Sequence, residues 1–316
     1  MRKYALHRLL LIVPTMVGVS VLVFALMRFV PADIVDVMIG SDVIMSPGER
    51  AILRGMFGLD QPLYLQYLSW LGNVARGEFG TSLRTAQPVM GMILQRIGIT
   101  AELALLSVFL SALVAIPLGI LAAVRRNGAI DLAAHVITLL GLSMPYFWVA
   151  SLLLLISSTY MRWSPSLIWV SPFEKPLTNL NQMILPVLSL SAGLMAIVMR
   201  MTRSAMLEVL DQDYIRTARA KGLREFGVMA RHALRNASIP IITVIGLQTG
   251  YLLGGAVVIE QIFGLPGIGL MILDGISQRD YPVVQGAVLF VAVVFVITNI
   301  VVDLVYAFVD PRIRYT

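Results

Sequence analysis

Long apolar stretches separated by short polar segments dominate the pattern of this chain. A membrane helix needs about 20 mostly apolar residues to cross a bilayer. Six stretches come near that length: residues 9–26, 103–124, 132–160, 183–199, 237–259 and 283–302. The pattern predicts an all-α membrane protein with six transmembrane helices. The stretch 183–199 is the shortest, and 132–160 is expected to kink at Pro145, because proline removes a helix hydrogen bond.

Composition agrees with a membrane protein. Of 316 residues, 58% are hydrophobic and 13% are charged, whereas about a quarter of a soluble domain is charged. The net charge of +6 lies in loops beside apolar stretches, which indicates topology and contact with anionic membrane lipid rather than nucleic-acid binding. The absence of Cys excludes disulfides and Cys-ligated metal.

The distribution of Lys and Arg predicts the orientation in the membrane. With the N-terminus inside, the inner segments hold most of these residues, whereas the two short outer loops hold only Arg162, Lys175 and Arg279. Both termini and the loop 211–240 are therefore expected in the cytoplasm. The basic start resembles a signal peptide, but the long apolar run favours an uncleaved helix.

A small outer helical module is predicted after the first span, in residues 31–98. Ser46-Pro47-Gly48-Glu49 has the pattern of a capping box with proline at the first helical position. A second helix is expected after Pro62 and a third after Pro88. The predicted segments are 1–30 (cytoplasmic tip and first span), 31–98 (outer module), 99–309 (membrane core with loop 203–236) and 310–316 (cytoplasmic tail).

Residues 211–222, with the sequence DQDYIRTARAKG, predict a short helix on the cytoplasmic membrane surface. Asp211 and Asp213 are expected to cap its first turn. Gly222 follows where a left-handed residue would end the helix. Basic residues beside a membrane often only fix topology, but topology requires neither a capped helix nor a terminal glycine.

The sequence contains no signature of a catalytic or metal site. No G-x-x-x-x-G-K-[ST] phosphate loop occurs, and the cluster 264–269 lacks the required Lys. The three histidines, His7, His135 and His232, are too scattered to hold a metal, and His135 is expected to be packed in the bundle. Glu260 is placed near the end of a span. The apolar stretches contain no charge of the kind that ion-coupled carriers use.

Polar residues within the spans leave two interpretations open. Candidates for a translocation path are Ser189, Ser191, Gln248, Thr249 and Tyr251. Such side chains also join helices through hydrogen bonds. Glu260 and Phe263 are candidates for an outer gate, but they fit a structural turn equally well.

Several co-linear motifs resemble those of one family. They are DYIRTARAKG followed by RHALRNA, then EQIFGLPGIG, RDYPVVQG and DPRIR, with GLDQPLYLQYLSWLGNVARGEFGTSL near the N-terminus. The chain resembles permease subunits of the oligopeptide, dipeptide and nickel branch of ABC importers, the binding-protein-dependent transport system inner membrane components. Its loop is similar to their EAA loop, although only Ala218, Gly222 and Leu234 keep the general letters.

The resemblance implies a fold and a set of partners. The fold would be a type I ABC importer transmembrane domain in the cell inner membrane, carrying half of the pathway for a small peptide, peptide-like or chelated solute. A substrate-binding protein would deliver the solute outside. A second homologous permease subunit would complete the pathway, and two ATPase subunits would bind ATP and magnesium.

The resemblance also implies how the subunits are coupled. The 211–222 helix would couple ATPase closure to alternating access, without catalysis in this chain. Tyr214 and Ile215 would supply apolar contacts and Ala218 close approach. The coupling residues would be Asp213, Tyr214, Ile215, Arg216, Thr217, Ala218, Arg219, Ala220, Lys221 and Gly222. The alternatives are a stand-alone six-span secondary carrier or channel and a non-transporting scaffold.

Overall fold

The computed structural model describes residues 13–25, 46–56, 58–166 and 168–309. The regular elements in these ranges are helices, which confirms the all-α prediction. In chain order they are α1 (Val13–Ala25), α2 (Pro47–Met56), α3 (Leu63–Ala75), α4 (Val89–Val124), α5 (Ala129–Ser143), α6 (Tyr146–Thr159), α7 (Pro176–Leu210), α8 (Asp213–Ala220), α9 (Leu234–Phe263), α10 (Ile268–Ser277) and α11 (Tyr281–Val309). A short α-helical turn, Glu225–Gly227, and a π-helical turn, Val228–Ala233, lead into α9.

Among the described residues, three helical segments are long and apolar enough to cross a membrane: α4, α7 and Tyr281–Val302 of α11. The number rises to five if each of two bent pairs forms one span. These pairs are α5 with α6, bent by 104°, and Glu225–Leu252 with Ala256–Phe263, bent by 53°. Helix α1 is apolar but shorter, and the predicted span 9–26 lies partly outside the described residues. The count of six therefore stays a prediction.

Three predicted helices proved to be parts of two longer ones. The outer helix expected after Pro88 and the span 103–124 form the single helix α4 of 36 residues. The span 183–199 is the middle of α7, which has 35 residues. Hydropathy detects only the apolar part of a helix, and both helices continue into sequence of mixed polarity.

The predicted kink at Pro145 is instead a complete break. Helix α5 ends at Ser143, and Met144 has extended backbone angles (φ −91°, ψ 122°). The ring of a proline disfavours helical angles in the residue before it, so the helix stops and α6 starts in a new direction. The expectation of one overlong, kinked helix was wrong for this reason.

The chain divides into two compact units. The first contains Ile99–Pro266 together with the chain from Ile297 onward, and the second contains the described residues up to Gly98 together with Gly267–Val296. The segment boundaries after residues 30, 98 and 309, which were predicted from the sequence, stay predictions.

Helix α7 forms the centre of the first unit, where α5, α6 and α9 pack against it. Its fully buried side chains include Met183, Leu190, Leu194 and Met206. Small residues allow neighbouring helices to approach closely, as is common between membrane helices. A Cβ atom on Gly141 of α5 would lie 2.8 Å from the Cβ of Ala196, for example.

The second unit has a small apolar core of its own, formed by Val89, Ile93, Ile268, Met271, Val283 and Ala287. The capping box at the start of α2 is confirmed. The Ser46 amide donates to Glu49 Oε2 at 2.9 Å, and the Glu49 amide donates to Ser46 Oγ at 3.4 Å. The bond from the Ser46 amide holds the pKa of Glu49 below its usual value. Helix α10, which has ten residues, was not predicted from the sequence.

We expect Gly119→Ala to lower the melting temperature of the purified protein in detergent. The added Cβ would lie 2.7 Å from the Cβ of Thr202 and 2.8 Å from the Met199 carbonyl oxygen, and overpacking typically costs about 1–3 kcal/mol. The control is Gly98→Ala on the same helix, where nothing lies within 4 Å. Alanine favours a helix over glycine by about 1 kcal/mol, so this control should melt no earlier than the parent. Equal melting temperatures for the two variants would contradict the close contact.

Candidate functional site

Helix α8 is a short surface helix, as predicted, but its first turn is not capped as expected. Its N-cap residue is Gln212, which makes no capping bond with its side chain. Asp211 instead follows α7 as its C-cap, and Asp213 is the first residue of α8 itself. The chain turns so tightly between the two helices that neither aspartate occupies the capping position, so this expectation was wrong.

The inner face of α8 packs against the protein itself. Ile215 is fully buried and Ala218 is 7% exposed, and both belong to the apolar core of the first unit. The sequence predicted that these two side chains contact a partner subunit. That assignment is corrected, because the apolar stripe of this helix already faces its own chain.

The outer face of α8 is polar and exposed. Its exposed residues are Asp213, Tyr214, Arg216, Thr217, Arg219, Ala220, Lys221 and Gly222. Arg216 Nη1 lies 3.3 Å from Asp213 Oδ1, and Arg219 Nη2 donates to Glu225 Oε1 at 2.7 Å. The bond to Glu225 raises the pKa of Arg219 above its usual value. This surface therefore presents preorganised cations to the surrounding water.

Gly222 ends α8 in the left-handed conformation that the sequence predicts, with φ +75°. Its amide donates to the Arg219 carbonyl at 2.9 Å, and the Leu223 amide donates to the Ala218 carbonyl at 3.4 Å. A Cβ at this position would meet no atom within 4 Å. The requirement for glycine is therefore one of backbone conformation and not of space.

Two exposed apolar side chains beside α8 were missed by the sequence analysis. Leu223 is 47% exposed and Phe226 is 84% exposed. Leu223 directly follows the glycine that ends α8, and Phe226 lies in the turn Glu225–Gly227. An aromatic residue in a charged, water-facing loop is a signal that could have identified them, since large apolar patches on a surface often mark interaction sites.

A cleft of about 690 Å³ opens where α7, α8 and α9 meet. Its walls include Glu208, Gln212, Tyr214 and Asn236. The Asn236 side-chain amide donates to the Tyr214 hydroxyl at 3.0 Å. This bond ties α8 to the start of α9, so α8 is fastened to the helices on both sides of it.

The candidate path residues fall into two groups. Ser189 and Ser191 are fully buried, and their hydroxyls donate to the carbonyls of Leu185 and Leu188 at 2.7 and 3.1 Å. A side chain without accessible surface does not contact a solute, so the lining role predicted for these serines is corrected to one in packing.

The other candidates lie on α9 and keep some accessible surface. Gln248 and Thr249 are half-buried, and the Thr249 hydroxyl donates to the Ile245 carbonyl at 2.7 Å. Tyr251 is 72% exposed. A role for these three residues in a translocation path stays a prediction.

Glu260 lies near the end of a helix, as the sequence suggested, but it is buried. It is fully buried in α9, three residues before the helix ends at Phe263, and Thr100 Oγ1 of α4 donates to its Oε1 at 2.6 Å. Phe263 is 3% exposed and belongs to the same core. Both residues thus hold α9 within the first unit, and a gating role stays a prediction.

A largely buried ion pair, which was not predicted from the sequence, joins α5 and α7. Arg203 Nε and Nη2 donate to the two carboxylate oxygens of Asp131 at 2.5 and 2.8 Å, and the Asn127 amide donates to Asp131 Oδ2 at 2.9 Å. Asp131 is only 4% exposed. The signal in the sequence is an acidic residue at the start of one apolar stretch and an arginine just after the end of another.

His135 lies one turn from Asp131, with its Nδ1 3.6 Å from Asp131 Oδ1. Its side chain is 59% exposed, so the expected packed histidine is corrected to a surface one. Within the described part of the chain, no group of three His, Cys, Asp or Glu side chains is placed to hold a metal ion.

The chain matches two family models. The one described as binding-protein-dependent transport system inner membrane component matches residues 115–315, and the one for the N-terminal part of such components matches residues 1–104. The dipeptide transport system permease protein DppB of Escherichia coli K12 is 41% identical over 338 residues, covering 100% of this chain and 99% of that protein. The oligopeptide transport system permease protein AppB of Bacillus subtilis 168 is 39% identical over 318 residues and all of both chains.

The fold of this chain is similar to that of a solved structure. The inward-facing MetNI methionine ABC transporter matches with a TM-score of 0.57 and 17% identity, over 70% of this chain and 97% of that chain. This match agrees with the predicted type I ABC importer transmembrane fold.

The ion pair between α5 and α7 predicts a measurable coupling. Asp131→Ala and Arg203→Ala should each lower stability by about 3 kcal/mol, because each leaves a largely buried charge without its partner. The double variant should lose less than the sum of the two, as measured by melting temperature in detergent. Arg216→Ala, at an exposed pair, is the control and should cost less than about 1 kcal/mol. Additive losses from the two buried residues would contradict the pairing.

Proposed function

The chain belongs to the family of binding-protein-dependent transport system inner membrane components, and on that premise we propose that it carries half of the translocation pathway of an ATP-driven importer of small peptides. It is the permease subunit of such an ABC importer and a multi-pass protein of the inner membrane. The peptide cargo is inferred from relatives named for dipeptide and oligopeptide transport, which match over the full length of the chain.

In this proposal, the energy comes from separate subunits. Two cytoplasmic ATPase subunits bind ATP and magnesium, and this chain performs no catalysis. A second, homologous permease subunit completes the pathway, and a binding protein on the outer side delivers the cargo. Both termini lie in the cytoplasm, in accord with the Lys and Arg distribution.

One observation carries the coupling part of the proposal: α8 has a buried inner face and an exposed polar outer face. Ile215 and Ala218 fix it to the core, and Tyr214 is bonded to Asn236 on α9. A force on the outer face therefore passes to α7 and α9 without first deforming α8. The ATPase contacts in this proposal are Tyr214, Arg216, Thr217, Arg219, Ala220 and Lys221, with Leu223 and Phe226 at the edge.

The alternative of a stand-alone secondary carrier or channel is not favoured by family membership. The buried Glu260 and the Asp131–Arg203 pair are ionisable groups of the kind that carriers use. In this chain, however, Thr100 donates to Glu260, and Asp131 and Arg203 bind each other. These contacts suit a structural role.

The natural absence of cysteine allows a direct test of the contact face. We expect Ala220→Cys, as the only thiol in the chain, to be cross-linked in native membranes to a subunit that mass spectrometry identifies as an ATPase with a phosphate loop. Ala220 is exposed, whereas Ala218, two residues away, is 7% exposed. Ala218→Cys is therefore the matched control and should give little product.

Capture of the ATPase through both positions to the same extent would contradict the inward orientation of Ala218. Labelling of Ala220→Cys by a cytoplasmic thiol reagent without any capture of an ATPase would contradict the proposed coupling surface.

Substitutions at Gly222 should show whether transport requires the left-handed backbone conformation there or a side-chain contact. Gly222→Val should reduce peptide uptake by the assembled transporter at least tenfold, because a β-branched residue resists φ +75° by about 1–2 kcal/mol and α8 would shift against its partner. Gly222→Asn should retain most of the uptake, since Asn tolerates the left-handed region. Uptake and ATP hydrolysis would be measured in proteoliposomes. Equal activity of the two variants would refute the conformational requirement.

A further inference from the structure

A cleft of about 440 Å³ lies between α5 and α7, a volume within the usual range for small-ligand sites. Two small, buried side chains of α5, Ala134 and Thr138, line it. The two helices are held together by the Asp131–Arg203 pair and by the close approach of Gly141 to Ala196. The cleft therefore lies between two helices that are held together by direct contacts.

One wall of the cleft is apolar. Val136, Leu139 and Leu142 line it from α5, and all three are exposed. The stretch from residue 135 to 142 covers about 10 Å at 1.5 Å per residue. This wall suits a linear hydrocarbon chain that lies along the helix.

Cationic and hydrogen-bonding groups line another part of the cleft. They are His135 on α5 and Arg200, Arg203 and Ser204 on α7. Arg203 is engaged by Asp131, while Arg200 and Ser204 are exposed and lie one helical turn apart. Among the described residues, no acidic side chain lines this cleft, and the carboxylate of the adjacent Asp131 accepts from Arg203 with both oxygens.

Two further arginines add positive charge near the start of α5. Arg125 and Arg126 are exposed in the segment between α4 and α5, which precedes Asp131. A guanidinium group binds phosphate oxygens through a planar pair of donors. An anion is thus the matching ligand at this part of the cleft.

We infer that the cleft between α5 and α7 binds one anionic phospholipid, with its phosphate at Arg200, Ser204 and His135 and an acyl chain along Val136 and Leu139. The cleft has an apolar wall and a separate cationic group, which match the acyl chain and the anionic headgroup of a lipid. A bound protein surface would not require this separation of apolar and cationic parts. The predicted orientation places Arg200 on the cytoplasmic side, and anionic headgroups attract basic residues there. The inference does not depend on the cargo or on the ATPase contact.

The test uses the full chain reconstituted in nanodiscs that contain equal amounts of phosphatidylglycerol and phosphatidylcholine with identical acyl chains. Native mass spectrometry then counts the lipids that remain bound. We expect the wild-type chain to retain phosphatidylglycerol preferentially, and Arg200→Gln to weaken this retention by about fivefold. Arg231→Gln, at an exposed arginine that does not line the cleft, is the matched control and should retain it.

A second variant tests the apolar wall. Thr138→Leu fills the cleft without changing its charge, and it should also lower the retention of phosphatidylglycerol. Equal retention of the two lipids by the wild-type chain would overturn the inference, and so would equal losses in Arg200→Gln and Arg231→Gln. Unchanged retention in Thr138→Leu would overturn the position of the acyl chain. A photoreactive residue at Leu139 that captures a protein subunit instead of lipid would assign the cleft to a protein interface.

Discussion

A polar group buried away from water costs free energy unless it forms a hydrogen bond within the protein, and this constraint shapes the packing of the first unit. Most of its buried hydroxyls satisfy the constraint within their own helix. Ser107, Ser111 and Ser189 each donate to the carbonyl four residues earlier, at 2.7 Å. Few side-chain hydrogen bonds therefore join different helices, and each of them stabilises the packing. Thr100 with Glu260 joins α4 to α9, and Asp131 with Arg203 joins α5 to α7.

These links place α7 at the mechanical centre of the subunit. It is packed by α5, α6 and α9, it carries Arg203, and it leads directly into the tight turn before α8. The proposed coupling surface is thus the exposed side of an element whose other side belongs to the core. A rigid connection of this kind suits a subunit that receives its energy from elsewhere, because little of a displacement would be lost in bending a loop.

The sequence predicted those features that depend on local pattern. Apolar length identified the apolar parts of α4, α7 and α11, Gly222 identified the left-handed end of α8, and Ser46 with Glu49 identified the start of α2. The sequence did not predict features that depend on which helices pack against each other. An isolated amphipathic helix does not reveal whether its apolar stripe faces its own chain or a partner, and for Ile215 and Ala218 the wrong alternative was chosen. Likewise, the pairing of Asp131 with Arg203 depends on the packing of α5 on α7, which no local pattern encodes.

The break between α5 and α6 has a consequence for the match between protein and bilayer. At 1.5 Å per residue, the 15 residues of α5 and the 14 of α6 measure about 22 and 21 Å, whereas a hydrocarbon core is about 30 Å thick. A bend of 104° prevents the two lengths from adding along one direction. A bilayer accommodates short helices of this kind by local thinning or by flanking side chains that reach towards the interface, and shorter acyl chains would fit beside them with less hydrophobic mismatch.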